Sequence, residues 1–158
     1  VNRRGDESAA RVLASKLEET AMRFIIMVKA NENTEAGVLP DEALLSAMGA
    51  YHEELSKAGV LLDASGFHPS ATGWRVRYEN GRRTVTDGPF AETKELIAGY
   101  TLIQVRSREE AVEWVRRFPA PMGEHESGEI EVRRLYELDE LGSGEAFDRF
   151  RELLPARR

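Results

Sequence analysis

The apolar positions change period several times along the chain, and each change marks an element. In "RFIIMVKA" every position from Phe24 to Val28 is apolar. Arg23 to Ala30 therefore reads as a strand that needs cover on both faces. From Asp41 to Ala58 the spacing becomes helical, with Leu44, Met48, Tyr51, Leu55 and Ala58 on one side. Asp41 and Glu42 suit the first turn of that helix, and Gly59 is placed to end it. Val60 to Phe67 predicts a second strand. Trp74, Val76 and Tyr78 alternate with Arg75 and Arg77, the pattern of a strand with one buried face. Asn80-Gly81 predicts a hairpin turn, and Arg83 to Thr86 the returning strand. Gly99 to Arg106 is a further strand, apolar on both sides except at Gln104. Ser107 and Glu110 have capping-box spacing before a helix carrying Ala111, Trp114, Val115 and Phe118, which Pro119 stops. After the loop "APMGEHESG", Glu129 to Tyr136 predicts the last core strand. Glu145 to Leu154 predicts a terminal helix with Phe147, Phe150 and Leu154 available to dock.

The predicted order is strand, helix, strand, hairpin, strand, helix, strand. This is a ferredoxin-like α+β sandwich with an added β-hairpin. Two core helices cover only one face of such a sheet, yet two of its strands are apolar on both. Two copies packing their open faces together resolve the conflict, so a homodimer forming a dimeric α+β barrel, with a cavity between the sheets, is expected. The core domain spans 22–138. Residues 1–21 form a peripheral extension in which Ser8 to Glu19 has a thin helical stripe of Val12, Leu13 and Leu17, and 139–158 form a helical tail. Met22, which opens a strand at once, is a candidate start.

Composition narrows the chemistry. The chain has 158 residues, 32% of them charged, and a formal net charge of −6. Nucleic acid is therefore not an expected partner. No cysteine is present, which excludes disulfides, thiolate catalysis and cysteine-ligated metals. No apolar run approaches membrane-helix length, and the first 20 residues carry mixed charge with no apolar core. A cytoplasmic protein that does not engage a membrane is expected. There is no phosphate loop and no dinucleotide fingerprint, and no cofactor is expected.

The polar residues offer one concentration of candidates. "TVTDGPFAETKELIAGYTLIQV" starts as a strand, breaks at Asp87-Gly88-Pro89-Phe90 and becomes a strand again. The break serves as punctuation, or it also holds Asp87 at a pocket mouth as a base or hydrogen-bond acceptor. His68, at a strand end, is the best general acid-base candidate by its ordinary pKa. It and Asp87 flank the same hairpin, and the pair is the catalytic candidate. Ser70, Arg75, Phe90, Glu92, Lys94 and Tyr100 are the ligand-binding candidates. Arg75 and Lys94 would hold an anion; their alternative is a solvated surface role. Arg77 is read as a solvated strand arginine. His52 lies beside the helix stripe and His125 in a polar loop; with His68 they lack metal-site spacing, so no metal is expected.

The run from His68 to Pro121, with Thr86 to Glu95 reading "TDGPFAETKE", followed by "GEIEVRRLYEL", closely resembles the DGPF-domain proteins, a branch of the YCII-related family. The resemblance covers Met22 to Leu138. It implies a dimeric α+β barrel in a bacterial cytoplasmic protein, and accessory proteins encoded near extracytoplasmic-function sigma factors. A sigma factor is thus an implied partner, for which the acidic segment Glu124 to Glu140 offers a surface. Relatives also include a dehydrochlorinase-type enzyme, and other branches carry a His early in the first helix and an Asp before a Pro after the second. In this chain Met48 stands near that His position, with His52 one turn on, and Phe118 precedes Pro119. The expected function is small-molecule binding, or cofactor-free lyase or isomerase chemistry, in a pocket of the homodimer. The alternative is a regulatory protein associated with a sigma factor.

Overall fold

A computed structural model describes residues 7–13 and 21–154. Strands β1 (Met22–Lys29), β2 (Leu61–Gly66), β5 (Ile97–Val105) and β6 (Ile130–Arg134) form one antiparallel sheet in the order β2-β5-β1-β6. Strands β3 (Trp74–Glu79) and β4 (Arg82–Asp87) form a separate two-stranded sheet. The helices are α1 (Glu32–Glu35), α2 (Glu42–Lys57), α3 (Arg108–Arg116) and α4 (Glu145–Leu153). Residues 7–13 are helical too, with Val12 and Leu13 exposed; the rest of the extension helix expected over Ser8 to Glu19 lies outside the described residues.

Local chemistry explains the boundaries. Asp41 caps α2, its carboxylate accepting the Leu44 N–H at 2.8 Å. Gly59 ends it at φ +70, with the Gly59 N–H donating to the Ser56 carbonyl and the Val60 N–H to that of Leu55. These are the two bonds of a Schellman motif, and Val60 and Leu55 both enter the core. At α3 the predicted cap forms in modified shape. Ser107 accepts the Glu110 N–H, but the Glu110 carboxylate reaches back to the N–H of Arg106, one residue before the cap. Asn80 and Gly81 both have positive φ, the geometry of a type I′ hairpin turn. The sequence reading passed over α1. Its signal was Asn31 with Thr34, which cap each other's backbone N–H groups.

The core lies between one face of the large sheet and helices α2 and α3. Phe24 and Ile26 from β1, Ile103 and Val105 from β5, Tyr51 and Leu55 from α2, Ala111 from α3 and Val60 form one buried cluster. The Tyr51 hydroxyl donates to the Trp114 carbonyl at 2.8 Å and ties the two helices together. Burial pushes its pKa up from 10.0 to about 12. A raised folded-state pKa contributes stability that is complete below the unfolded value and is lost as pH rises toward the folded one. Stability should therefore fall between pH 10 and about 12, and Tyr51→Phe should flatten that fall in urea titrations run across the window.

Alternation puts Arg23, Ile25 and Met27 of β1, paired with Gln104, Leu102 and Tyr100 of β5, on the opposite sheet face. Ile25, Met27 and Leu102 stay half-exposed, and none belongs to the core cluster. The cover expected on both sides of β1 is thus supplied on one side by the chain's own helices. The hairpin departs further from expectation. Trp74, Val76 and Tyr78, predicted as a buried face, are all exposed, Trp74 to 65% and Tyr78 to 68%.

Candidate functional site

The antiparallel pairings bring the ends of β1 and β2 and the starts of β5 and β6 to one end of the sheet. The loops after β1, after β2 and before β5 meet there, and Ser70 is their junction. Its hydroxyl donates to Glu35 Oε2 at 2.5 Å and accepts the Phe90 N–H at 3.1 Å. Its own N–H donates to Glu35 Oε1 at 3.1 Å. Close by, the Gly88 N–H donates to the Gly73 carbonyl at 2.9 Å. A side chain at position 88 would meet the Ser70 carbonyl oxygen at 1.8 Å, so only glycine fits. The Asp87–Phe90 break is therefore bonded at two points to the turn before β3, and through Ser70 to α1. Ser70 spends its donor and an acceptor position on this junction.

Arg75, from β3, lies with its guanidinium 3.8 Å from the centre of the Phe90 ring, a cation–π contact that leaves its N–H edges to solvent. Phe90 is half-buried. Glu92 and Lys94 are exposed; the charge run after the break is a single 3-10 turn over Thr93–Glu95. His68 and Asp87 stand at either side of the junction, both exposed, and no hydrogen bond or ion pair among the described residues joins them.

Tyr100 sits on the open sheet face beside this end. Its hydroxyl donates to Asp63 Oδ2 at 2.6 Å, and its ring lies 5.8 Å from that of Phe67. The bond to Asp63 raises the Tyr100 pKa, with desolvation as a lesser cause, because it favours the protonated phenol. The phenol and carboxylate together present a hydrogen-bonded pair beside the apolar patch of Ile25, Met27 and Leu102 on a face that also carries Arg23, Gln104, Glu131 and Arg133.

His52 belongs to the other side. Nδ1 lies 2.7 Å from the Met48 carbonyl, which can only accept, so Nδ1 carries a proton. Nε2 lies 2.8 Å from the hydroxyl of Thr101, a residue 2% exposed. Thr101 and Tyr100 point to opposite faces by alternation. Both nitrogens of His52 are thus engaged under the sheet, where the histidine pins α2 to β5. Among the described residues no cluster of three or more His, Asp or Glu could hold a metal ion, and no helix is long and apolar enough to cross a membrane.

Two residues of this end were missed in the sequence, Glu35 and Asp63. Glu35 follows the Asn31–Thr34 cap signal, which places it on a helical turn. Asp63 carried no local signal, since its partner Tyr100 is distant in sequence and reached only by strand pairing.

Comparison with known proteins assigns the chain to a family. The YCII-related domain model matches residues 22–139. A protein of Rhizobium meliloti (strain 1021), itself described as uncharacterised, is 32% identical over 103 residues, covering 65% of this chain and 83% of its own length. The match takes in both helices of the core, the whole four-stranded sheet and the Ser70–Gly88 junction. The chain belongs to the YCII-related domain family.

Proposed function

We propose that the protein is a homodimer of ferredoxin-like domains, of the DGPF branch, that binds a small molecule between two facing sheets. The observation that carries this reading is the open sheet face. Ile25, Met27 and Leu102 form an apolar patch on it between charged edges, and beside that patch Tyr100 and Asp63 fix a hydrogen-bonded pair. Packing two such faces removes the apolar surface from water and encloses the polar pair. A mostly apolar cavity with a few set polar groups is the usual form of a small-molecule site.

In this reading the junction closes one end of the cavity. Ser70 holds the Phe90 wall in place, and Arg75, Lys94 and Glu92 supply charge at the rim. His68 and Asp87, whose side chains have no hydrogen-bond or ion-pair partner among the described residues, exchange a proton with the ligand as a cofactor-free lyase or isomerase requires. Native mass spectrometry tests this directly. The wild type should appear as a dimer carrying a discrete extra mass. Met27→Lys, which sets two charges into the closed face, should appear as a monomer without it. His68→Ala should remain dimeric with the mass diminished. A wild-type monomer would overturn the dimer. A dimer free of added mass would overturn the ligand reading and favour a protein partner such as a sigma factor.

A further inference from the structure

One row of the open sheet face carries a charge at each edge, and the two charges are opposite. Strand register defines the row. Asp63 pairs with Leu102, Leu102 with Ile25, and Ile25 with Arg133. Directly paired residues share a face, so from β2 to β6 the row reads acidic, apolar, apolar, basic. Asp63 owes its place to a bulge. Leu61 pairs with Ile103 of the core cluster, and plain alternation would send Asp63 to that same face. The register shift between Leu61 and Asp63 turns the carboxylate to the open face instead. There Oδ2 accepts the Tyr100 hydroxyl and Oδ1 the Ala64 N–H, and no cation among the described residues pairs with it. The Arg133 side chain is 71% exposed and lies 3.6 Å from Glu131 of its own strand, a carboxylate that Lys29 also approaches at 3.8 Å. Within one chain Asp63 and Arg133 stand at opposite edges of the sheet, too far apart to meet.

A two-fold axis along the strands, midway between β5 and β1, lays this row on its own complement. The order β2-β5-β1-β6 then sets β2 of each copy over β6 of the other, and β5 over β1. Ile25 and Leu102 cover the partner's Leu102 and Ile25. An axis across the strands through the same row would instead set Asp63 on Asp63 and Arg133 on Arg133. We propose that two copies associate about the axis along the strands, with Asp63 of each bound to the partner's Arg133. Stacked sheets lie about 10 Å apart, a gap that an arginine and an aspartate reaching toward each other span. The apolar and charged contacts belong to one row of one face, so they form together. The hydrogen-bonded pair on that face then becomes a site built by two chains, with Tyr100 and Asp63 from one copy and the partner's Arg133 on the same carboxylate. Such a site occurs twice in the dimer. This inference rests on the homodimer proposed above and specifies its register.

Charge exchange within the full-length chain tests the pairing. Asp63→Arg alone, or Arg133→Asp alone, sets like charges together at both contacts and should weaken dimerisation at least tenfold in a dilution series followed by light scattering. Asp63→Arg/Arg133→Asp in the same chain restores opposite charges only between β2 of one copy and β6 of the other, and should recover most of the loss. Single variants that dimerise like the wild type, or a double variant that does not recover, overturn the pairing. Because the chain has no cysteine, cross-linking gives a second readout. Chains carrying Asp63→Cys are mixed with chains carrying Arg133→Cys, allowed to exchange, and treated with a short bismaleimide; each heterodimer keeps one native Asp63–Arg133 contact. Bridging at several times the level of Asp63→Cys alone is expected. Equal or greater bridging in Asp63→Cys alone places β2 over β2 and overturns the proposed axis. Light scattering on the wild type separates the two readings. A dimer that fails these tests loses the register and stands as a dimer, whereas a monomer overturns both.

Discussion

Gly88→Ala is expected to disrupt the Ser70 junction at a cost of about 3 kcal/mol, near the top of the range for overpacking. The added methyl would lie 1.8 Å from the Ser70 carbonyl oxygen and 2.6 Å from its carbon. These are backbone atoms, so no rotamer change relieves the clash, and the two turns must part. Parting them strains the Gly88–Gly73 and Phe90–Ser70 hydrogen bonds and loosens the hold of Glu35. Gly81→Ala is the control. It has positive φ but nothing within 4 Å, so it costs only backbone strain, roughly 1–2 kcal/mol. Urea midpoints for the two variants check the ranking. Native mass spectrometry of Gly88→Ala should in addition show loss of any bound mass. Equal destabilisation of the two glycine variants would mean that the junction is not the tight contact described.

Leu55→Ala should cost about 2–5 kcal/mol, a large share of the roughly 5–15 kcal/mol that holds a domain together. The side chain is 0% exposed and sits in the cluster with Phe24, Ile26 and Ile103. It also ends α2, its carbonyl accepting the Val60 N–H in the helix-terminating motif. Truncation removes apolar area and leaves a cavity that fixed backbone on both sides cannot close. A fall in Tm of roughly 5–15 °C is expected for a chain of this length. Leu45, on the same helix but 57% exposed, sets the contrast: its alanine variant should change stability by no more than about 0.5 kcal/mol. Thermal unfolding of the pair, followed by circular dichroism, separates the two cases.

The elements themselves could be read along the chain because each is made by local rules. Helical spacing from Leu44 to Leu55 and the cap residues Asp41, Ser107 and Gly59 mark α2 and α3 to within a residue or two. Asn80-Gly81 marks the hairpin because only such residues take two positive φ values cheaply. That the chain's own helices would leave apolar positions of the second sheet face uncovered was also legible, since β1 and β5 are apolar at consecutive positions and a pleated strand presents those to both sides. What no local rule supplied was which polar groups meet. Ser70 with Glu35, Tyr100 with Asp63, and His52 with Thr101 are each brought together by strand pairing or helix packing across a long stretch of chain. The same holds for burial on the hairpin. Its alternation announces one apolar face, but alternation cannot say whether the chain's own core covers that face, and here it does not. Period and capping act through neighbours in sequence, and the sequence by itself determined them. Contact and exposure depend on where distant segments come to rest, and those only the tertiary structure decided.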